Sequence, residues 1–408
     1  MKSYAKLLSP FIYLLPVALI SGPFFSDLFI SIITLAILPI IIKNYRVYIL
    51  SNVSKLFFIF FILLCVSAIF SDFLNETYKS SFFYFRFFIY SLAIVFILEN
   101  NQDFIKVITY IILATLFVLT TDALLQFIFQ KNYLTGEKLL DYKRITGLFG
   151  DEKILGRYVI RILPLTIYLM LKNNFKNTTI FFLSLYFSTC IFVSGERTSV
   201  LLFTIFLFIL FFTFKIEIKH KLVFVVSIFL IFVLTLIYSQ NLFDRLFFET
   251  FSDMIEVDDK GNFNLYFFSK GHTLMYLTSL NIFFENPMFG TGPKSFRFLC
   301  MDELYNISQS YLACSTHPHN YYFQLLAETG ILGFSFIVFC LIFLVYSFIK
   351  HYKNSKNTPP YLILLVGLII NLFPFAPTGN FFNNWMSIII YFPVGFLIYE
   401  LKLLKKND

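Results

Sequence analysis

Two histidines at the start of an apolar segment carry the clearest chemical signal in this sequence. His317 and His319 lie in the run CSTHPHNYYFQLLAETGILG at residues 314–333. We expect Pro318 to occupy the first position of a helix, which places His319 in the first turn. Unpaired backbone N–H groups and the positive end of the helix dipole disfavour a charged imidazole there. A neutral imidazole in such a position can act as a general base.

The same predicted helix has two faces with different uses. One face combines the histidine with apolar and small residues: His319, Phe323, Leu326, Gly330 and Gly333. Its two glycines predict the close approach of a neighbouring helix. The other face carries Asn320, Gln324 and Glu328, which predict hydrogen bonds to an uncharged polar ligand such as a sugar. The structural alternative for His319 is that its ring only caps the helix.

Several ionisable residues stand near the outer ends of apolar segments: Arg86, Asp122, Arg157, Arg161 and Arg197. Guanidinium groups bind phosphate through paired N–H donors. The cluster therefore predicts a binding place for an anionic group attached to lipid, such as a phosphate or a diphosphate. The alternative, above all for Arg86 and Arg161, is that each side chain extends separately to the membrane interface.

The composition around these residues is that of an integral membrane protein. Of 408 residues, 58% are hydrophobic and 14% are charged, and the mean hydropathy is +0.77. These proportions exclude soluble domains, intrinsic disorder and a nucleic-acid-binding domain. We attribute the 59 phenylalanines to a codon bias rather than to a cofactor site.

The apolar pattern predicts an all-α membrane protein with about twelve transmembrane helices, because a helix needs roughly 20 apolar residues to cross a bilayer. The predicted spans lie near residues 8–22, 24–42, 56–71, 82–98, 104–129, 154–171, 178–194, 198–214, 222–238, 320–349, 361–376 and 382–401. The predicted regions are helices 1–5 at 1–129, an outside loop at 130–153, helices 6–9 at 154–238, a large outside loop or cap at 239–318, and helices 10–12 at 319–408. No A-x-A-like site follows the first span, so we interpret it as a retained helix. Basic residues favour both termini inside, since the short outside turns hold only Lys79.

The large outside loop is expected to form a small helical domain. Its features are an acidic patch at Asp253, Glu256, Asp258 and Asp259, an amphipathic stretch at 273–284, and turns at NP (286–287) and GTGP (290–293). Cys300 and Cys314 both fall in this loop. In an oxidising compartment they could form a disulfide, and the alternative is a pair of free thiols.

Three further motifs accompany the histidine run in a fixed order: RITGLFG at 144–150, GERTS at 195–199 and GTGPKSF at 290–296. With His319, Asn320, Gly330 and Gly333 at their spacing, these motifs span most of residues 144–333. In this arrangement the chain resembles the O-antigen ligase and O-antigen polymerase superfamily of bacterial envelope glycosyltransferases.

The resemblance implies a twelve-helix glycosyltransferase of the GT-C type in the bacterial inner membrane, with both termini cytoplasmic and a periplasmic active site. It implies a glycan donor on undecaprenyl pyrophosphate, an acceptor sugar hydroxyl on lipid A core, and no cofactor, metal or nucleotide sugar. By position, His319 would take the proton of the acceptor hydroxyl. Arg197 would stabilise the diphosphate leaving group as the glycosidic carbon is displaced with inversion. Arg144 would be an auxiliary cation or a positioning residue.

The other residues expected to bind substrate are Arg86, Arg157, Arg161, Lys270, His272, His317, Asn320 and Gln324. One departure from the family concerns an arginine that many members carry in the long loop. This chain reads SKGH there, at residues 269–272. Lys270 keeps the charge without the two-pronged donor geometry, and His272 would replace the arginine only if protonated.

Other functions find less support. The sequence has no Walker-type loop and no His/Cys cluster at zinc spacing, His317 and His319 make a weak metal pair, and the acidic residues do not have the spacing of a hydrolase pair. A polymerase extending lipid-linked repeats with the same site stays open as the alternative. Protein O-glycosyltransferases usually carry an extra soluble domain. A lipid-linked oligosaccharide flippase, a non-enzyme, predicts charges throughout the membrane depth.

Overall fold

The computed structural model describes residues 1–132, 136, 143–213, 217–257, 261–354 and 359–407. The chain before the large loop forms α1 (Lys2–Ala18), α2 (Pro23–Lys43), α3 (Tyr45–Tyr48), α4 (Asn52–Ile69), α5 (Leu74–Phe82), α6 (Phe85–Asn100), α7 (Phe104–Phe129), α8 (Leu155–Lys172), α9 (Asn177–Val193), α10 (Arg197–Thr213) and α11 (Ile218–Tyr238). The large loop forms α12 (Gln240–Leu246), α13 (Phe248–Met254), β1 (Ile255–Val257), β2 (Phe263–Leu265), α14 (Lys270–Glu285) and α15 (Phe296–Leu299). Three helices complete the chain: α16 (Tyr321–Asn354), α17 (Tyr361–Asn371) and α18 (Asn384–Asn407). Short 3-10 turns lie at Gly147–Phe149 and Tyr311–Ala313.

The protein is an all-α membrane protein. A helix occupies at least part of each of the twelve apolar segments predicted from the sequence. Within the described ranges, seven helical segments are long and apolar enough to cross a bilayer: Pro23–Lys43, Asn52–Ile69, Leu74–Asn100, Phe104–Phe129, Ile218–Tyr238, Tyr321–Lys353 and Asn384–Leu404. Helices α9, α10 and α17 are apolar but shorter. Helix is the expected form here because it satisfies its own backbone hydrogen bonds without water.

Three helices form the centre of the bundle. Every residue of α6 from Phe87 to Leu98 is buried, and α8 and α17 are buried over most of their lengths. A helix that is apolar on all sides belongs in the interior of such a bundle. By contrast, α11 buries Ile228 and exposes most of its other apolar side chains, which indicates that it faces lipid.

Both chain termini lie at the same end of the bundle. Lys172 at the end of α8 pairs with Glu400 of α18 at 2.7 Å, and Lys402 pairs with Glu99 at 2.5 Å. Met1 lines a cavity of about 430 Å³ together with Lys402 and Glu99. Arg157 opens α8 at the opposite end, which we call the site end.

The large loop packs at the site end, where α14 contacts α16 and the 3-10 turn Tyr311–Ala313. The amphipathic stretch predicted at 273–284 lies within α14. Cys300 and Cys314 form a disulfide with their Cα atoms 4.9 Å apart.

The two-stranded sheet is a feature that we did not predict from the sequence. Strands β1 and β2 pair antiparallel, with Ile255 opposite Leu265 and Val257 opposite Phe263. Of the predicted acidic patch, Asp253 lies in the last turn of α13 and Glu256 lies in β1. Asp258 and Asp259 lie outside the described residues.

Candidate active site

Three histidine rings meet at the site end. The ring centroids of His317 and His319 are 4.1 Å apart, and those of His272 and His319 are 5.5 Å apart. His272 comes from the first turn of α14, while the other two precede α16. The tertiary fold therefore joins a residue of the large loop to the histidine run.

The backbone at His319 differs from the predicted one. Helix α16 begins at Tyr321, so His319 precedes the helix instead of lying in its first turn. Its φ is 55°, in the left-handed region, and its carbonyl accepts a 2.7 Å hydrogen bond from the Thr378 N–H. Asn320 caps the helix, because its Oδ1 accepts from the backbone N–H of Tyr322 at 2.9 Å. The capping alternative for the His319 ring is thus wrong, and that role belongs to Asn320.

His317 is held in place on both sides of its ring. Its Nε2 lies 3.3 Å from the Thr378 carbonyl, and its Nδ1 lies 3.0 Å from the Thr316 hydroxyl. A carbonyl can only accept, so Nε2 carries the proton and Nδ1 receives the hydroxyl hydrogen. His317 is therefore a positioned, largely enclosed ring next to His319. The His319 Nε2 lies 3.4 Å from the Ser315 hydroxyl.

The ring of His272 is positioned by the cap of α14. Ser269 Oγ accepts a 3.3 Å hydrogen bond from the His272 backbone N–H and lies 2.7 Å from the ring Nδ1. The serine that caps the helix therefore also orients the imidazole.

All three histidines are held neutral. The pKa of His319 is lowered to about 4, by burial first and then by the neighbouring His272 and the charge of Arg157. Burial likewise lowers the pKa of His317 to about 3, with His319 and Arg157 acting in the same direction. The pKa of His272 is also lowered, by burial first and Arg157 second. Arg157 is thus the cation that acts on the whole cluster. A neutral His272 cannot replace the charge of an arginine.

Arg157 is positioned by the GERTS turn. Its Nε lies 3.4 Å from a carboxylate oxygen of Glu196, which is buried and also accepts from the Gly156 N–H at 2.8 Å. Burial raises the pKa of Glu196, and the charges of Arg157 and Arg144 oppose that rise. Arg144 donates to the Lys153 carbonyl at 2.9 Å. The RITGLFG and GERTS motifs therefore meet around Glu196.

Arg161 lies one helical turn below Arg157 and is almost completely buried. Its guanidinium lies 3.3 Å from the Arg157 carbonyl, and it interacts electrostatically with the Tyr321 hydroxyl. One alternative proposed that the Arg161 side chain extends separately to the membrane interface. That alternative is wrong for Arg161, because the side chain is enclosed by α8 and α16.

Arg197 is bound by carboxylates of the large loop. One Nη contacts Asp253 at 2.6 Å, the other contacts Glu249 at 3.1 Å, and its Nε donates to the Arg245 carbonyl at 3.0 Å. Glu249 also pairs with Arg245 at 3.2 Å. The charges of Arg197 and Asp253 both reach His272. Arg197 therefore borders the histidine cluster. Both of its Nη groups are bound to carboxylates.

A segment of the chain that includes His319 and Arg197 resembles a known protein family. Residues 182–338 match the family model described as O-antigen ligase. The resemblance predicted from the motifs is confirmed over these residues. The O-antigen ligase match includes Arg197, His272 and His319, while Arg144 and Arg157 precede it. No curated protein matches the chain.

Two residues expected to bind substrate lie apart from the histidines. Arg86 makes an ion pair with Asp27 at 2.8 Å on α2. Lys270 points away along the large loop to Glu256 at 2.9 Å. The sequence left open whether Lys270 or His272 occupies the place of the family's loop arginine, and the structure puts His272 beside His319.

Asn320 and Gln324 serve the fold in place of the expected contact with a sugar. Both are buried. The Asn320 amide donates to the Pro374 carbonyl at 2.9 Å, and the Gln324 amide donates to Glu328 and Asn380 at 2.9 and 3.0 Å. Because these amides are satisfied within the chain, they join α16 to the segment before α18.

Glu328 anchors the GTGPKSF loop to α16. Its two oxygens accept from the backbone N–H groups of Lys294 and Phe296 at 2.9 and 3.1 Å. The backbone of Gly292 donates to the Glu328 carbonyl at 2.8 Å. The GTGPKSF loop at 290–296 and the histidine run at 314–333 are thus one structural unit.

Gly330 interrupts α16, where its φ is 63°. We expected a neighbouring helix to approach this glycine, but the loop at Met288 and Phe289 approaches it instead. A Cβ at Gly330 would lie 2.4 Å from the Met288 carbonyl oxygen.

We expect Gly330→Ala to lower the free energy of unfolding by roughly 2 kcal/mol or more, since it adds backbone strain and a clash. Thermal unfolding in detergent measures this. The matched control is Gly271→Ala, whose Cβ would meet the Leu312 carbonyl at an ordinary 3.7 Å. Equal melting temperatures for both variants would contradict the prediction.

Some contacts of the site were not predicted from the sequence. The acidic patch gave no indication that Asp253 pairs with Arg197. The pair Arg245 and Glu249 had a usable signal, because oppositely charged residues four apart face each other on a helix. Thr378 bonds to both the His317 ring and the His319 carbonyl, and no sequence signal predicted these contacts.

No metal site is formed in the part of the chain that the structure describes. No group of three or more His, Cys, Asp or Glu side chains is arranged to hold an ion there.

Proposed function

We propose that this protein is an O-antigen ligase-like glycosyltransferase. It moves a glycan from undecaprenyl pyrophosphate to a sugar hydroxyl of lipid A core at the periplasmic face of the bacterial inner membrane. The observation that carries the proposal is the neutral His319 in a cluster on which Arg157 and Arg197 act, because His319 and Arg197 both lie in the segment that matches the O-antigen ligase family. We also propose that both termini are cytoplasmic, in keeping with their position opposite the site end.

The reaction needs one base and one anion site. The acceptor oxygen attacks the anomeric carbon from the side opposite the diphosphate, and the carbon–oxygen bond to the diphosphate breaks with inversion. His319 receives the hydroxyl proton, and undecaprenyl diphosphate leaves with the electron pair of the broken bond. The donor is already activated, so the protein's main tasks are orientation, proton removal and neutralisation of the departing charge.

Donor binding is expected to strengthen the base. At a pKa of about 4, His319 is neutral at pH 7 but is a weak proton acceptor. An anionic diphosphate next to the cluster would offset the effect of Arg157 and raise the pKa of His319, because an opposite charge favours the imidazolium. The base is then most effective when the donor is in place.

The two arginines act from different elements. Arg157 acts electrostatically on all three histidines and keeps its position through Glu196. Arg197 would exchange Glu249 and Asp253 for diphosphate oxygens, which offer the same paired acceptor geometry as a carboxylate. The carboxylates then occupy the anion site until the donor arrives.

A polymerase that extends undecaprenyl-linked repeats is the second candidate, since it would use the same base and the same anion site. Only the acceptor differs. A flippase is disfavoured by the position of the cations, because Arg157 and Arg197 gather at the site end while the opposite end carries the pairs of Lys172 and Lys402.

The test is transfer by the purified protein in proteoliposomes supplied with an undecaprenyl pyrophosphate-linked glycan. Lipid A core and a second lipid-linked glycan are offered together as acceptors, and products are separated by mass. We expect glycan on lipid A core and release of undecaprenyl diphosphate. Elongated lipid-linked glycan would establish the polymerase instead. Donor movement across the bilayer without transfer to either acceptor would refute the transferase.

A further inference from the structure

The hairpin β1–β2 separates apolar from polar side chains completely. Residues directly opposite in an antiparallel pair point to the same face, and successive residues alternate. One face therefore carries only apolar side chains: Ile255, Val257, Phe263 and Leu265. The other face carries Glu256 opposite Asn264.

The apolar face is open to the surroundings. Phe263 is 74% exposed, Leu265 78% and Val257 56%. Phe248 and Phe251 of α13, just before the hairpin, are 64% and 62% exposed. A contiguous apolar surface of this kind marks a contact with a partner or with lipid, because leaving it in water is costly.

The polar face is exposed and makes local polar contacts with the chain that follows β2. Glu256 accepts from Tyr266 at 2.6 Å and pairs with Lys270 at 2.9 Å, at the start of α14. Asp253, two residues before β1, is bound to Arg197. The hairpin is thus fixed at the border of the histidine cluster with its apolar face turned away from these contacts.

We propose that the apolar face of the hairpin inserts into the lipid leaflet at the site end of the bundle. The chain itself indicates this occupant. Helix α11 exposes most of its apolar surface to lipid, up to Ile237 and Tyr238 at its end, and α12 and α13 lead from there directly to β1. The hairpin therefore leaves a lipid-facing span close to the membrane surface.

The insertion is shallow. Both outer edges of a two-stranded sheet have backbone groups that need partners, and the hydrocarbon core supplies none. The side chains of Phe263 and Leu265 reach below the headgroups while the strands stay at headgroup level, where water and polar groups bind the backbone. The border of the site is then in contact with the leaflet. The insertion itself does not depend on the transferase activity.

The test uses tryptophan as a depth probe. Phe263→Trp and Asn264→Trp place the same fluorophore on opposite faces of one strand. Each variant is placed in nanodiscs of ordinary or brominated phosphatidylcholine, whose bromines quench nearby tryptophan. The one natural tryptophan, Trp385, is present in both variants and in the unchanged protein, so its emission is subtracted.

We expect brominated lipid to remove most of the emission added by Phe263→Trp and little of that added by Asn264→Trp. Leu265→Trp repeats the measurement on the apolar face if Phe263→Trp does not fold. Equal quenching of the two faces would overturn the proposal. So would an unquenched probe at 263 or 265 whose emission shifts to the blue with protein concentration, since that reports contact with a second copy.

Discussion

His319→Asn is expected to reduce the kcat/KM of glycan transfer by roughly 10²–10⁴-fold, the usual contribution of a general base. Asparagine is the informative replacement because His319 has φ 55°, and asparagine tolerates the left-handed region better than alanine. The Asn variant therefore removes the base while preserving the backbone bond from Thr378. Transfer is measured with the lipid-linked donor in proteoliposomes, beside the thermal unfolding of each variant. We expect His319→Ala to be equally inactive.

The matched control is His220→Asn, an exposed histidine at the start of α11 whose nearest charged partner is Glu217 at 3.7 Å. It should leave transfer unchanged. An Asn variant at 319 that transfers at the normal rate, with a normal melting temperature, would remove His319 from the mechanism.

The pH dependence of transfer gives a separate test of the same base. A histidine must be neutral to accept a proton, so activity falls below its pKa. Because burial, His272 and Arg157 lower the pKa of His319 to about 4, kcat/KM should persist through the ordinary histidine range and decline only in more acidic buffer. Arg157→Gln removes one of these effects and should move the decline to higher pH. A decline near the usual histidine pKa in the unchanged protein would contradict the enclosed site.

The fold and the location of the site followed from local sequence signals. A run of apolar residues long enough to span a bilayer forms a helix in almost any context, because the bilayer offers backbone groups no other partner. Amphipathic spacing at 273–284 identified α14 for a similar local reason. The order of the motifs predicted that His319, Arg197 and the GTGPKSF loop belong to one family pattern, and all three lie in the matched residues 182–338.

The details that failed depend on contacts between distant residues. The start of α16 was predicted three residues too early, at Pro318, because the bond from Thr378 to His319 is a tertiary contact that the local sequence does not show. Gln324 was assigned to a sugar, since its helical face was known but its partner Asn380 was not. The hairpin was missed because strands of three residues carry too little alternation to be recognised.

Arg197→Ala is expected to lower kcat/KM by roughly 10²–10³-fold, which is the usual effect of removing one donor to a developing negative charge. The leaving diphosphate gains charge as the glycosidic bond breaks, so the loss should appear in kcat and not only in donor binding. Arg197→Lys should recover a minor part, because an ammonium keeps the charge but lacks two parallel N–H donors. The readout is steady-state transfer with varied donor concentration.

The ion pairs of Arg197 make this variant ambiguous by itself, since its loss also leaves Glu249 and Asp253 without a partner. Asp253→Asn resolves the ambiguity. Asp253 is bound to Arg197 at 2.6 Å, and its side chain is 47% exposed, so its removal is tolerable for the fold. If the carboxylate competes with the diphosphate for Arg197, Asp253→Asn should lower the KM for the donor several-fold and leave kcat unchanged. Asp244→Asn, on α12, is the charge-matched control.

The double variant Arg197→Ala with Asp253→Asn then separates the two roles. An arginine that only neutralises Asp253 is dispensable once that carboxylate is gone, and the double variant would transfer almost normally. An arginine that binds the diphosphate is needed whether or not Asp253 is charged, and the double variant would be as inactive as Arg197→Ala. We expect the second result, because the charge of Arg197 reaches His272, whose ring lies next to the proposed base His319.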